Sequence, residues 1–271
     1  MRLGIATTLG NAASPSDLIV RRARAAEAHG FDSFWFFDSI GRSWPSIDPL
    51  TSASIAAAVT ECMEVGTGIL QIPLRHPVEL ANRVITTQLF SANRLLLGVG
   101  AGSTRADFEA LGIPFEGRMR LFNDGLATMR RLWDGEIVDG ANLLPVDEVR
   151  GGPPVLIGSW AGPKWIPRAA QEFDGWIASA HFSGYNTLKE GIEAYRAAGG
   201  KRALVTNIWL DLNATAEPLD DAKGPYSLMC DPQTAMERLQ RLADLGYDDA
   251  VVVYHGEGEP DFAAIHALLP R

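Results

Sequence analysis

The stretch that decides the fold is AHGFDSFW at residues 28–35, which returns near the C-terminus as DLGYDDAV at residues 244–251. In each copy an amphipathic segment ends at a glycine, and an aromatic residue, an acid and an apolar run follow. Glycine is favoured after a helix because it adopts the left-handed backbone conformation at low cost. Two copies of one helix-to-strand connection indicate a fold made of repeated βα units.

Short apolar runs alternate with longer amphipathic segments along the rest of the chain, which is typical of a parallel sheet covered by helices. Most runs are apolar on both faces, as strands buried between a barrel interior and a ring of helices must be. The predicted strands are residues 3–7, 33–37, 64–69, 95–99, 155–157, 175–178, 204–210 and 250–254. At about 34 residues per unit, this pattern favours a (β/α)₈ barrel over a doubly wound sheet. We therefore predict one α/β domain, a single barrel over residues 1–271.

The longest irregular stretches are residues 39–48, 102–116 and 135–154, and the first two directly follow predicted strands. In a (β/α)₈ barrel the loops after the strands build the active-site face. We therefore expect functional residues in the first two stretches rather than in the third.

Composition and charge exclude several classes of partner. The net charge of −9 is spread along the chain, and no cluster of Lys and Arg forms a stripe that could follow a nucleic-acid backbone. The sequence contains neither a secretory leader nor an apolar stretch of about 18 residues, so we predict a soluble, cytoplasmic protein with no membrane partner. Cys62 and Cys230 are too few for a disulfide framework and are interpreted as small buried residues.

The most glycine-dense element is GVGAGS at residues 98–103, at the end of a predicted buried strand. It is not a dinucleotide-binding GxGxxG motif, because Ser103 stands in place of the third glycine and the element follows the fourth strand. Two interpretations remain: a backbone that lets a flat or phosphorylated ligand come close, or an ordinary tight turn. A second element, GSWAGP at residues 158–163, precedes a predicted helix whose first N–H groups could bind phosphate.

Asp38 ends the second predicted strand, directly after four aromatic residues at 34–37. A carboxylate at the rim of that apolar wall would be partly desolvated, and could accept a hydrogen bond from a cofactor or move a proton. The alternative is a cap for the loop that follows.

Six stretches of the chain are informative when they are taken together: GFDSFWFFD at 30–38, VGTGIL at 65–70, RHP at 75–77, NRLLLGVGAG at 93–102, FEALGI at 108–113 and DGWI at 174–177. In this combination they resemble the luciferase-like family of flavin and deazaflavin oxidoreductases. The resemblance covers nearly the whole chain, and the combination is specific although each piece is not. It implies a luciferase-like (β/α)₈ (TIM) barrel that holds its cofactor at the C-terminal ends of the strands.

Members of this family hold FMN or the deazaflavin coenzyme F-420 with the tricyclic ring at the barrel mouth. The resemblance puts that ring near Asp38, Gly68, Ile69, Gly100 and Ala101. It puts the phosphate tail on Ser103 and on the loop that contains Gly158, Ser159, Ala161 and Gly162, and Gly102 is a further predicted cofactor contact. Many deazaflavin-dependent relatives have a non-proline cis peptide at the position of Gly68-Ile69, so we expect one here.

One departure from the family concerns the proton donor. Several hydride-transferring relatives have histidine directly after the aspartate, whereas this chain has Ser39, which does not donate a proton near neutral pH as imidazole does. His181 and His255 follow the sixth and eighth strands, so together with Asp38 they are the candidate catalytic residues. Ser39 and Trp44 are predicted to contact the substrate, although Trp44 could instead simply cover the mouth.

The leading hypothesis is hydride transfer between coenzyme F-420 and a small organic substrate, with no metal required. One alternative is an FMN-dependent monooxygenase that receives reduced flavin from a partner reductase, and another is a non-catalytic cofactor-binding barrel. A homodimer is compatible with the resemblance. A metal-dependent hydrolase is disfavoured because neither HxH nor HExxH occurs.

Overall fold

Eight parallel strands close into a barrel, because the last strand pairs with both the first and the seventh. The computed structural model describes residues 1–6, 8, 16–40, 46–159 and 165–269. The barrel strands are β1 (Arg2–Ala6), β2 (Ser33–Phe36), β3 (Glu64–Thr67), β4 (Leu95–Gly100), β5 (Val155–Gly158), β6 (Gly175–Ser179), β7 (Arg202–Asp211) and β8 (Asp249–Tyr254). The predicted (β/α)₈ barrel and all eight predicted strands are confirmed, with ends that differ by one or two residues.

Helices cover the outside of the barrel between successive strands. They are α1 (Leu18–Ala28), α2 (Pro49–Ala58), α3 (Pro77–Phe90), α4 (Arg105–Glu109), α5 (Arg118–Trp133), α6 (Trp165–Glu172), α7 (Tyr185–Ala197), α8 (Pro232–Asp244) and α9 (Phe262–His266). Three of them begin with proline, which suits a first turn because its missing N–H would have no partner there. Among the described residues, no helix combines the length and apolar character needed to cross a membrane.

The repeated helix-to-strand connection has the geometry that the sequence predicts. Gly30 and Gly246 end α1 and α8 in the left-handed conformation, with φ of 87° and 92°. Two residues after each glycine, an aspartate accepts a hydrogen bond from a backbone N–H at the start of a neighbouring strand. Asp174, which precedes β6, makes the same kind of bond. These bonds join Asp32 to Leu3 (2.8 Å), Asp174 to Val155 (2.7 Å) and Asp248 to Ala203 (2.7 Å). The repeat therefore sets the register of adjacent strands as well as the ends of helices.

The barrel interior is packed around Trp35, which is fully buried. Two glycines make room for its indole: a Cβ at Gly66 would lie 2.5 Å from Cε3, and one at Gly4 would lie 2.9 Å from Nε1. The other buried residues of this layer are Ala6, Leu96, Leu156, Ile177, Leu204, Val251 and Val253. Because side chains fill the interior, a ligand has to bind at the ends of the strands rather than inside the barrel.

A charged cluster closes the N-terminal end of the barrel. Arg202 contacts Glu64 and Asp249 at 2.8 Å each, and Arg2 contacts Glu64 at 2.7 Å. Burial raises the pKa of Asp249. Burial alone would also raise the pKa of Glu64, but hydrogen bonds and charge from the two arginines lower it overall. Strand β7 begins two residues earlier than predicted because these carboxylates neutralise Arg202 inside the sheet.

The two cysteines have different surroundings. Cys230 is buried, as predicted, and burial raises the pKa of its thiol. Cys62 is exposed, so the prediction of burial is wrong for this residue. It lies in the turn between α2 and β3, where its backbone N–H donates to the Glu27 carboxylate at 2.8 Å. The turn places the side chain on the surface.

Candidate active site

The carboxylate of Asp38 is buried just past the end of β2 and forms a two-point ion pair with Arg75. Arg75 donates to its two oxygens at 2.5 and 2.9 Å, and the backbone N–H of Gln71 donates to Oδ2 at 2.8 Å. Burial disfavours the charged form of Arg75, but the hydrogen bonds and charge of Asp38 raise its pKa overall. Each oxygen of Asp38 therefore already has a strong donor.

Gln71 extends this arrangement into a polar network. Its Nε2 donates to the carbonyl oxygen of Asp38 and to Oδ2 of Asp107, both at 3.0 Å. The other oxygen of Asp107 accepts the backbone N–H of Ile40 at 3.2 Å. Oε1 of Gln71 is buried without a hydrogen-bond partner. The network joins the end of β2 to α4 and holds Asp38 in place; the catalytic and cofactor-binding roles of Asp38 stay predictions.

A surface with few side chains lies where β3, β4 and β5 end. A Cβ at Gly100 would lie 2.7 Å from Cδ1 of Ile69, and a Cβ at Gly158 would overlap Cγ2 of the same side chain. Ile69 therefore lies across both glycines, and a larger residue at either position would displace it. The Gly68-Ile69 peptide bond is cis, which confirms the expectation from the family resemblance. A flat ligand that binds at these strand ends would rest on the Ile69 side chain.

Three further predicted cofactor contacts follow β4. Gly102 has φ of 78°, and a Cβ at this position would overlap Oε1 of Gln71, so the chain requires glycine here. Ala101 is half-buried and Ser103 is exposed, directly before α4. Ser103 is thus accessible to a ligand, as its predicted role requires.

Two of the remaining predicted residues, Ser39 and Ser159, form hydrogen bonds within the protein. The carbonyl oxygen and hydroxyl of Ser159 accept hydrogen bonds from the Trp176 indole at 3.1 and 3.2 Å. The Ser39 hydroxyl donates to Ser46 Oγ at 3.2 Å. Three predicted contacts lie outside the described residues: Trp44, Ala161 and Gly162.

A bulge in β7 determines which side chain reaches the barrel mouth. Val205 pairs with Ala250 and Ile208 with Val252, so β7 contains one extra residue at this point. Asn207 lies in the bulge with φ of 57°, a left-handed conformation that asparagine tolerates better than most residues. Strict alternation from the inward-facing Leu204 would point Trp209 outward, but the extra residue makes it pack against the interior layer.

Both candidate histidines flank Trp209 at the C-terminal end of the barrel. The ring of His181 lies 4.7 Å from that of Trp209, and the ring of His255 lies 4.8 Å away on centroid distances. Nδ1 of His181 is buried and has no hydrogen-bond partner. Burial lowers the pKa of His255. The predicted histidines are therefore brought together, through an aromatic side chain that the sequence analysis did not single out.

Comparison with known proteins identifies the family. A family model described as luciferase-like monooxygenase matches residues 1–208 of the chain. The chain belongs to the luciferase-like monooxygenase family. This membership makes it an oxidoreductase, as the resemblance of the sequence implied.

One sequence relative and one structural neighbour of this luciferase-like protein have different cofactors in their descriptions. The chain is 26% identical to the F420-dependent hydroxymycolic acid dehydrogenase of Mycobacterium tuberculosis, over 80% of this chain and 66% of the relative. It is 29% identical to the 5,10-methylenetetrahydromethanopterin reductase of Archaeoglobus fulgidus, over 66% of this chain and 54% of the relative. Among solved structures, the oxygenating constituent of the 3,6-diketocamphane monooxygenase from Pseudomonas putida, in complex with FMN, has a TM-score of 0.77. That match has 17% identity and covers 98% of this chain and 96% of the other.

In this luciferase-like barrel, the residues that hold the site together are not marked by a functional motif. Arg75 belongs to the RHP element, whereas Gln71 belongs to none of the recognised stretches. Trp209 lies within an apolar run that predicts only a strand. The available signals were an arginine soon after an apolar strand and an asparagine inside one, which marks a bulge.

Proposed function

We propose that this protein transfers a hydride between coenzyme F-420 and a small organic substrate at the C-terminal mouth of the barrel. The observation that carries the proposal is that Ile69 lies across Gly100 and Gly158 and covers the ends of three adjacent strands with one apolar side chain, on which a flat ring could rest. The proposal treats residues 1–271 as one catalytic domain. When bound, the deazaflavin would supply a carbon that accepts or releases a hydride.

The residues at the mouth fit a flat tricyclic group. Phe37, Ile69 and Trp209 all pack against the interior layer from above, so they would form an apolar floor that excludes water from below. Gly100 and Gly158 would let the Ile69 side chain lie across the strand ends beneath the ring, since a Cβ at either position would displace that side chain. Gly102 and Ser103 would then lie toward the phosphate-bearing tail.

His181 is the proposed proton-transfer residue. Removal of a hydride from an alcohol-like carbon requires that a base accept the hydroxyl proton, and the reverse reaction requires an acid. Ser39 cannot perform this role near neutral pH, and both oxygens of Asp38 are engaged with Arg75 and Gln71. Nδ1 of His181 has no hydrogen-bond partner, so no second group fixes the tautomer of the ring. In this proposal the imidazole of His181 would accept the substrate hydroxyl proton in one direction and return it in the other.

Asp38 would act mainly by holding the edge of the site. Its carboxylate is fixed by two donors of Arg75 and one of Gln71, so it would hold the end of β2 in one position beside the cofactor. A group held in this way costs little reorganisation when charge develops on a bound ligand.

The preference for the deazaflavin is supported by a named relative, the F420-dependent hydroxymycolic acid dehydrogenase. The FMN-dependent alternative is supported by the fold shared with the camphane monooxygenase component. In that case a separate reductase would be a required partner. The two cofactors differ in how they bind and react, so a binding experiment separates them.

The test is a titration of the purified protein with oxidised coenzyme F-420 and, separately, with FMN, followed by cofactor fluorescence. We expect F-420 to bind at least about tenfold more tightly than FMN, a difference of about 1.4 kcal/mol. Tight binding of FMN without binding of F-420 would establish the monooxygenase alternative. Binding of neither would overturn the cofactor proposal altogether.

A second measurement addresses turnover. With F-420 bound, a panel of small alcohols should include at least one that reduces the coenzyme, seen as loss of its fluorescence. Tight binding of F-420 without turnover on any alcohol, aldehyde or ketone would favour the non-catalytic cofactor-binding alternative.

A further inference from the structure

Arg75 contacts two acids that lie on either side of residues 39–47. Its guanidinium bonds both oxygens of Asp38, as described above, and its Nη2 lies 3.8 Å from Oδ2 of Asp48. Asp48 is itself fixed, because it caps α2 through the Thr51 N–H at 2.8 Å and pairs with Arg83 at 2.5 Å. One side chain thus holds the end of β2 and the start of α2.

The same side chain is close to the cofactor floor. Arg75 follows Ile69 by six residues, and the short strand Leu70–Gln71 between them pairs with β4. Arg75 Nη1 also donates to the carbonyl oxygen of Gln71 at 3.3 Å. The guanidinium therefore contacts the segment that carries Ile69 as well as the strand end that carries Asp38 and Ser39.

We propose that Arg75 is a positioning residue of the cofactor site, which holds the Asp38 end of β2 against the Ile69–Gln71 segment. The inference rests on the proposed function for the identity of the ligand, but the positioning itself is a property of the protein alone. Arginine suits this role because its planar fork fixes both oxygens of one carboxylate while a further N–H reaches a second acceptor. Lysine would keep the charge and lose the two-point geometry.

A purely structural ion pair would behave differently. The chain contains a suitable comparison in Arg202, which also bonds two carboxylates but at the opposite end of the barrel. Substitution of Arg202 should lower stability without changing amide exchange or F-420 binding at the barrel mouth. Substitution of Arg75 should alter the mouth even where stability is largely kept.

The experiment compares R75K and R75Q with R202K and wild type. Hydrogen–deuterium exchange is followed at the Ile40 and Gln71 amides, which bond Asp107 and Asp38 at 3.2 and 2.8 Å. Binding of oxidised F-420 is measured by fluorescence titration, and Tm is recorded for every variant. R75K keeps the positive charge, so it tests geometry even if R75Q leaves too much unpaired charge to fold well.

We expect both Arg75 variants to accelerate exchange at the two amides about tenfold or more and to weaken F-420 binding about tenfold, with R75K the milder. R202K should lower Tm and change neither measurement. Unchanged exchange in R75K and R75Q, or equal changes in R202K, would overturn the inference. If exchange rises and F-420 still binds as tightly as to wild type, Arg75 does not position the cofactor site. If wild type binds no F-420, the proposed function fails, while the exchange data still decide whether Arg75 holds the strand end.

Discussion

Ile69 lies so close to Gly158 that a Cβ on the glycine would overlap its Cγ2. The two residues are in different βα units, and Ile69 follows a cis peptide bond at the end of β3. This contact makes the ends of neighbouring strands a smooth surface, on which the proposed cofactor ring would rest.

Gly158→Ala should weaken cofactor binding. The added methyl group would push Ile69 upward into the space of the ring, and we expect an affinity loss of about tenfold or more, with a stability cost of about 1–3 kcal/mol from overpacking. Fluorescence titration with F-420 and urea unfolding measure the two effects. The matched control is Gly117→Ala, since φ at Gly117 is −78° and a Cβ there meets nothing within 4 Å. Equal affinity for both variants would remove Gly158 from the site.

His181→Asn should reduce turnover and leave cofactor affinity nearly unchanged. Asparagine is polar and smaller than histidine but cannot accept a proton, so kcat should fall by about 10²–10⁴, the range typical of a lost general base. His255→Asn is the paired control on the other side of Trp209. Steady-state kinetics on a substrate accepted by wild type would show which histidine transfers the proton. A larger loss of kcat in the His255 variant than in the His181 variant would assign proton transfer to His255.

Stability should decline in mild acid partly through His255. Burial lowers the pKa of this histidine, nearby Asp211 partly opposes the shift, and His181 adds to it. The unfolded chain then binds a proton near pH 6.5 while the folded protein stays neutral, so stability is complete above that pH and decreases as pH falls below it. His255→Gln should reduce the drop in Tm between about pH 7.5 and about pH 5.5. Because His255 keeps substantial contact with solvent, the difference should be small. A drop as large as that of wild type would contradict this account.

Glu64→Gln should destabilise the barrel at neutral pH. Glu64 accepts hydrogen bonds from Arg2 and Arg202, and its removal leaves two partly buried cations with fewer counter-charges. We expect a loss of about 2–4 kcal/mol in the free energy of unfolding. Arginine contacts lower the pKa of Glu64 overall, so its contribution is complete above the unfolded value of about 4.5 and is lost as pH falls through the folded value.

Urea unfolding at about pH 7 and about pH 3 checks how the contribution of Glu64 to stability depends on pH. The difference in the free energy of unfolding between wild type and Glu64→Gln should be smaller at the lower pH, where the glutamate itself becomes neutral. F-420 affinity should be unchanged at neutral pH, because Glu64 is at the opposite end of the barrel from the mouth. A gap that stays constant with pH would show that packing, and not charge, explains the loss.

The sequence by itself determined the barrel and its connections. Gly30 and Gly246 take left-handed conformations and the adjacent acids bond neighbouring strands, because these features depend on a few residues that are close in the chain. The apolar runs identified every barrel strand for the same local reason. The family resemblance added the cis peptide at Gly68-Ile69, a position that periodicity does not mark.

The tertiary structure decided how the site is held. Asp38 and Arg75 are 37 positions apart and meet only after the strands align, so the sequence alone could not show that both oxygens of the carboxylate are engaged. Trp209 faces the mouth only because the bulge at Asn207 shifts the alternation of β7 by one residue. Ion pairing and strand register both depend on neighbours across the sheet, and closure of the barrel brings those neighbours together.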